Sequence, residues 1–279
     1  LADLAADGIR AVIDGLKDLI TSADDAYTNF QAQTGASAEE MSKFKDEIND
    51  LYKQNFGESL QDIADCMAQV KQQTGEVDPS KLKELTKNAI GLRDTFGMDI
   101  QESMRATNRL MDTFGLSGEE AFNLIVQGAQ EGLNQNDNLL DTINEYGPKF
   151  QGMGMSAQDM FNMLKNGADA GVFDIDKLGD AINEFTIRVI DGSETTKQGF
   201  DTIGLNADEM AQKFAAGGDT AKEAFQQTMD GLNSIEDPVA RNTAAVNLFG
   251  SMWEDTGGTS ILAMGEITGG IDQTKNSMQ

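Results

Sequence analysis

The sequence predicts an all-α fold of antiparallel helical hairpins with Gly-capped corners, repeat-like in its first half. Three observations carry that prediction. Apolar residues recur at three- and four-residue spacing along nearly the whole chain. The alternating β-branched and aromatic pattern of a strand is confined to the few residues from Phe185 to Ile190. One short punctuation pattern, rich in glycine and capping residues, separates the apolar stripes.

The elements follow in order. Leu4, Ile9, Val12, Ile13, Leu16, Leu19, Ile20, Ala23 and Tyr27 place a first helix near 2–32. Met41, Phe44, Ile48, Leu51 and Tyr52 form the next stripe, and Leu60, Ile63, Met67 and Val70 the one after. Leu82, Leu85, Ala89, Leu92 and Phe96 continue the series. Beyond residue 170 the spacing predicts helices over 174–188, 193–203, 206–216, 219–233 and 238–249, the last opened by Asp237-Pro238. The Gly-rich stretch from Gly257 to Gly270 reads as a flexible segment or a short weak helix.

The punctuation is Gly, any residue, then Ser, Asp or Asn, then Asp or Glu three positions later. It begins at Gly35, Gly57, Gly97, Gly115, Gly132, Gly154, Gly204 and Gly231, where composition alone predicts about one occurrence. Its cause is the need to stop one helix and start the next within three residues. Glycine adopts the left-handed conformation that closes a C-terminus, and the Ser, Asp or Asn oxygen accepts from an orphan N–H of the following helix. The acidic residue completes a capping box and favours the positive end of the helix dipole. These glycines are therefore read as structural. The corners also keep register: Gln33-Thr34-Gly35 returns as Gln73-Thr74-Gly75 and Phe56-Gly57 as Phe96-Gly97, with further corners at Gly115 and Gly154, a repeat of about 40 residues.

Four segments are expected. Residues 1–33 are an N-terminal helix continuing from a missing upstream part, since Leu1 opens the chain with no basic or apolar leader. Residues 34–172 are the hairpin array of about 40-residue repeats, 173–256 a second helical subdomain, and 257–279 a Gly-rich junction to a missing C-terminal part.

Composition removes whole classes of chemistry. The chain has no His, so Ser/His and Cys/His nucleophiles, His-ligated zinc and HExxH proteases are excluded. Its single cysteine, Cys66, forms no intrachain disulfide and reads as a buried core thiol. Among 279 residues, 47 acidic against 21 basic side chains give a net charge of −26, which argues against nucleic-acid backbones and anionic membranes as partners. The longest uncharged stretch, Ala26 to Ala38, is polar and too short to span a bilayer. Asp174, Asp176 and the residues after them look superficially like a calcium loop, but Leu178 and Phe185 stand where an EF-hand needs oxygen ligands. No catalytic, cofactor-binding or metal-ligating residue is assigned, and no cofactor is expected.

The run Gln130-Glu131-Gly132-Leu133, Asp137 to Leu140, Asp141 to Pro148, Phe150, Gly154 and Ser156 resembles the core of bacteriophage tail tape-measure proteins. The resemblance continues through Gly179 to Phe185 with Arg188, Asp191-Gly192-Ser193, Gly204-Leu205, Phe214 to Gly218, and Leu248-Phe249-Gly250 with Trp253-Glu254-Asp255, covering roughly 34–257. It implies an internal segment of a large structural virion protein that occupies the tail tube lumen, governs tail length and assembly, and leaves ahead of the genome. It also implies partners: the major tail tube protein, distal-tail, hub and baseplate proteins, assembly chaperones, and further copies of the chain, usually as a trimer. The implied location is the virion tail, with the host cytoplasm during assembly. Family cores carry no catalytic residues to place here.

Two other classes stand beside this one. A generic α-helical repeat module would bind a partner helix in a groove lined by Met104, Met111, Met153, Met155, Met160 and Met163, although methionines at helical spacing also serve as core filler. An enzyme would use paired carboxylates such as Glu119/Glu120 or Asp174/Asp176, but these pairs fall at expected helix starts, where the dipole accounts for them. The cluster Trp253-Glu254-Asp255 is left without an assigned role.

Overall fold

The computed structural model describes residues 21–275 and 277. The portion of the first helix expected over 2–20 lies outside them. All regular structure among the described residues is helical, with no strand; Phe185–Ile190, the one strand-like stretch, forms a helix end and a turn. The chain divides into two compact units, Leu1–Met104 and Arg105–Gln279.

In the first unit, α1 (residues 21–34), α2 (Ala38–Lys53), α3 (Leu60–Thr74) and α4 (Pro79–Phe96) bury the faces that periodicity assigned to them. Phe30 of α1 meets Phe44 of α2 with ring centroids 5.2 Å apart. Ile48, Leu51, Ile63, Met67, Leu82 and Leu92 are fully enclosed around that contact's core, whereas Tyr52 on the same predicted stripe is exposed. Across α3 and α4, Arg93 grips Asp62 with two guanidinium bonds of 2.7 and 2.9 Å.

The division between the units falls inside α5 (Ile100–Phe114). The second unit continues with α6 (Gly118–Gln130), α7 (Leu139–Gly152), α8 (Ala157–Asp169) and α9 (Asp176–Arg188). It then runs through α10 (Glu194–Thr202), α11 (Ala207–Ala216), α12 (Gly218–Ser234), α13 (Pro238–Phe249), α14 (Met252–Thr256) and α15 (Gly258–Ala263). Its centre is aromatic. Phe185 of α9 stacks on Phe249 of α13 at 4.7 Å and meets Phe214 of α11 and Phe225 of α12 edge-on at 5.3 and 5.6 Å. Edge-to-face and offset-stacked rings add to the area they bury, so this cluster fixes four helices about one side chain.

The corners form largely as the punctuation predicts. Ser37, Ser59, Ser117, Ser156 and Asn206 accept with their side chains from the N–H three residues on, and Asp99 accepts from Glu102 N–H at 3.0 Å. Three of the eight depart from the pattern. At the Gly57 corner it is Asn55, at φ +62°, that closes α2, with Asn55 N–H on Tyr52 O and Phe56 N–H on Leu51 O, and Gly57 comes two residues later. Gly231 is not a corner: it lies inside α12, where a Cβ would stand 2.9 Å from Ile203 Cβ, so this glycine serves close packing of a helix and the break comes later, at Asp237-Pro238. Asn134 does not cap a helix start directly; a turn runs to Asn138, and Asn134 Oδ1 accepts from Leu139 N–H at 3.2 Å. At Gly231 the residue types fit the pattern, but packing, which a local pattern does not contain, decides where the helix stops.

Candidate functional site

At the corners of Gly35 and Gly75, 40 residues apart, the local bonding is identical. Gly35 N–H donates to Gln31 O at 2.9 Å and Gly75 N–H to Lys71 O at 2.9 Å. Thr34 and Thr74 hydroxyls donate four residues back, to Phe30 O at 2.7 Å and Val70 O at 2.8 Å. Gly97 and Gly115 close α4 and α5 with the same five-to-one bond. The Gly132, Gly154 and Gly204 corners close differently. There the residue after the glycine bonds back five positions, Leu133 N–H to Gly128 O, Met155 N–H to Phe150 O and Leu205 N–H to Phe200 O, and the glycine N–H reaches back three, the paired bonds of a Schellman motif.

The segments that carry the family resemblance converge in space. Gly154 sits at φ +79° with the backbone of Gly218 against it: a Cβ there would lie 1.8 Å from the Gly218 carbonyl oxygen. At the same corner Ser156 and Asp159 form a capping box, and Asp159 Oδ2 also receives Lys222 Nζ of α12 at 2.6 Å. Tyr146 of α7 donates its hydroxyl to Asp180 Oδ1 at 2.7 Å, and its ring fills the space a side chain at Gly179 would need. Burial and that bond raise the Tyr146 pKa, so the phenol is a fixed neutral donor. Trp253 is buried, stands near Phe249, and donates Nε1–H to Asn242 Oδ1 at 2.6 Å. It is thus a core anchor, while Glu254 and Asp255 beside it are exposed.

The carboxylates considered for chemistry sit at helix starts. Glu120 closes the α6 capping box on Ser117, whose backbone and side-chain bonds lower its pKa, and Glu119 sits in the same first turn. Asp176 opens α9; burial first, then the charges of Asp180, Asp174, Glu145 and Asp141, raise its pKa. Among the described residues no group of three or more Cys, Asp and Glu is arranged to hold a metal ion. Cys66 is buried, and burial together with the Asp62 carboxylate pushes its thiol up to about 12, which leaves it un-ionised at neutral pH. Asp62 itself, although burial opposes it, is held below the ordinary range by Arg93 and the Glu58 N–H.

Met104, Met153, Met155, Met160 and Met163 are buried and Met111 half-buried, so they chiefly fill cores, with Met153 and Met155 each at the wall of a separate surface pocket. Sequence reasoning missed a set of side-chain amides. Asn123, Gln127 and Asn162 are almost fully enclosed on α6 and α8, and they bond the main chain of residues 271–277. The available signal was their spacing: Asn123 and Gln127, and Gln158, Asn162 and Asn166, recur every fourth residue.

No helix among the described residues is long and apolar enough to cross a membrane. The family described as phage-related minor tail protein matches residues 53–250. Over 170 residues, 61% of this chain, the sequence is 44% identical to the probable tape measure protein of Streptomyces phage phiC31. Over 261 residues, 93% of this chain, it is 34% identical to the uncharacterized protein YqbO of Bacillus subtilis (strain 168). The matched regions amount to 23% and 16% of these relatives' lengths, so the chain spans under a quarter of either. No solved structure matches the chain.

Proposed function

Because the chain belongs to the phage-related minor tail protein family, we propose that this structural tail protein is a segment of a tape-measure protein, acting through shape and helix packing within the tail tube. In this reading it governs tail length during assembly and departs ahead of the genome. Its contacts are the major tail tube protein, distal-tail, hub and baseplate proteins, assembly chaperones and further copies of itself, as a trimer.

The observation that supports this is where the resemblance goes. Gly154, Gly179, Phe185, Phe214, Gly218, Phe249 and Trp253, drawn from separate matching segments, are spent on close approach and core packing. A shared pattern that encodes packing suits a protein whose product is a length and a surface. The hinge-like corners extend the same reading: opened inside a tube, successive helices would add about 1.5 Å per residue.

The test is tail length by electron microscopy in a phage carrying this sequence with residues 75–114, one repeat, deleted in frame. The expected tail is shorter by about 60 Å, the length of 40 helical residues. Tails of unchanged length would overturn the ruler role and assign the segment to a folded position at one end of the tail.

A further inference from the structure

The stretch after α15 is non-helical, and it is held by side-chain amides from two helices. Asn162 accepts from Ile271 N–H at 3.2 Å and faces Ile271 O with its own N–H at 3.5 Å. Gln127 repeats the arrangement on the next peptide, accepting from Asp272 N–H at 3.0 Å and donating to Asp272 O at 2.7 Å. Asn166 donates to the carbonyls of Glu266 and Thr268, Gln158 accepts from Gln273 N–H, and Asn123 accepts from Ser277 N–H.

As the strap advances from Glu266 to Ser277, its partners retreat from Asn166 through Asn162 to Gln158 on α8, and from Gln127 to Asn123 on α6. Each turn of helix thus offers one amide to a non-helical chain, which itself turns where Lys275 N–H bonds Asp272 O at 3.1 Å. Ile267 and Ile271 are buried beneath it, and Gly269 passes so close to Asn162 that a Cβ would stand 2.3 Å from Oδ1.

A buried amide without partners costs free energy, and the strap's main chain bonds all three of the buried ones, Asn123, Gln127 and Asn162, Gln127 Nε2 also donating to Asn123 O of its own helix at 3.2 Å. Paired amide bonds copy what a neighbouring β-strand offers a peptide: recognition of backbone with two side-chain pockets for selectivity. Nothing in these contacts depends on which molecule the strap belongs to.

We infer that α6 and α8 form a backbone-reading groove for a non-helical segment, filled here by the chain's own residues 266–275 and 277, and that when copies are brought together it takes the same segment of a second copy. The second copy is the occupant because its segment brings the same two isoleucines, the same Gly269 and the same peptide groups at the same spacing. Exchange of an identical element is a low-cost route to association, and Gly265, in the turn after α15, stands at the entry to the strap.

The test uses two full-length variants with complementary defects. Gln127→Ala with Asn162→Ala disables the groove, and Ile267→Glu with Ile271→Glu disables the strap. Sedimentation velocity of the mixture is expected to show a one-to-one species absent from either variant alone, with hydrogen-exchange protection appearing at Ile271 and Asp272 of the groove variant. A mixture that sediments as the sum of its parts overturns the inference. A measurement that does not need the doubly substituted groove is titration of a fluorescent peptide of residues 264–277 onto the strap variant. Saturable binding is expected, weakened about tenfold by adding Gln127→Ala; no binding overturns the groove. Neither result depends on tail length, so failure here and failure of the ruler reading are separable.

Discussion

The corners at Gly35 and Gly154 share one sequence signature, Gly-x-Ser followed by an acid three residues on, yet they carry different structural burdens. Both serine caps form, with Ser37 accepting from Glu40 N–H and Ser156 from Asp159 N–H. Around Gly35 there is open space, and a Cβ placed there would meet nothing within 4 Å. Around Gly154 the Gly218 carbonyl leaves no room, and Lys222 reaches across from α12 to the capping carboxylate. The motif therefore specifies a turn, whereas its surroundings set what the turn is worth. A corner that only closes a helix is held by its own bonds; a corner into which another backbone is packed is held by that neighbour as well.

The largest expected effect separates the two glycines. Gly154→Ala combines a left-handed φ with an unavoidable backbone collision and should cost about 3–5 kcal/mol, or abolish folding of the second unit, in urea titrations followed by circular dichroism. Gly35→Ala meets only the φ penalty and should cost about 1–2 kcal/mol. Equal costs would erase the distinction between the two corners.

The next effect tests the tie from α12. Lys222→Ala removes a part-buried pair to Asp159 and should cost about 1 kcal/mol by the same titration, less at high salt. At the caps themselves, Ser37→Ala and Ser156→Ala should each cost about 1 kcal/mol, because a cap bond is local wherever it forms. A much larger loss at Ser156 would show that the cap and the close approach of Gly218 act as one.

The smallest effect is a titration. The Ser37 backbone N–H and hydroxyl hold the Glu40 carboxyl below its ordinary range. A carboxyl with a depressed folded pKa stabilises above its unfolded value and loses that contribution as pH falls through the folded one. Amide exchange at the start of α2 should therefore accelerate only once the pH drops below the usual glutamate range, and NMR should show Glu40 titrating low. An ordinary titration would mean that the capping box does not persist in solution.

Much of the fold was legible because its rules are local. Stripes at three- and four-residue spacing name the buried face of each helix, and Phe44, Ile48, Ile63 and Met67 are enclosed as that spacing requires. Helix starts at Asp78-Pro79 and Asp237-Pro238 follow from the fixed φ of proline and one carboxylate acceptor. The candidate groove was not legible: Asn162 meets Ile271 across 109 residues, and Gln127 meets Asp272 across 145. Polar residues at those positions look like surface until a chain arrives to cover them.

Local sequence is enough to establish that this protein is helical, where five of its eight punctuated corners turn, and that its charge is strongly negative. Those properties depend on atoms within one turn of helix or on a count. Tertiary packing was needed to decide that Gly231 belongs inside a helix against Ile203, that Gly154 admits no side chain, that Trp253 anchors a core, and that a Gly-rich stretch becomes a strap. Each of those depends on which distant segment arrives beside it, because close packing and backbone recognition are set by neighbours in space.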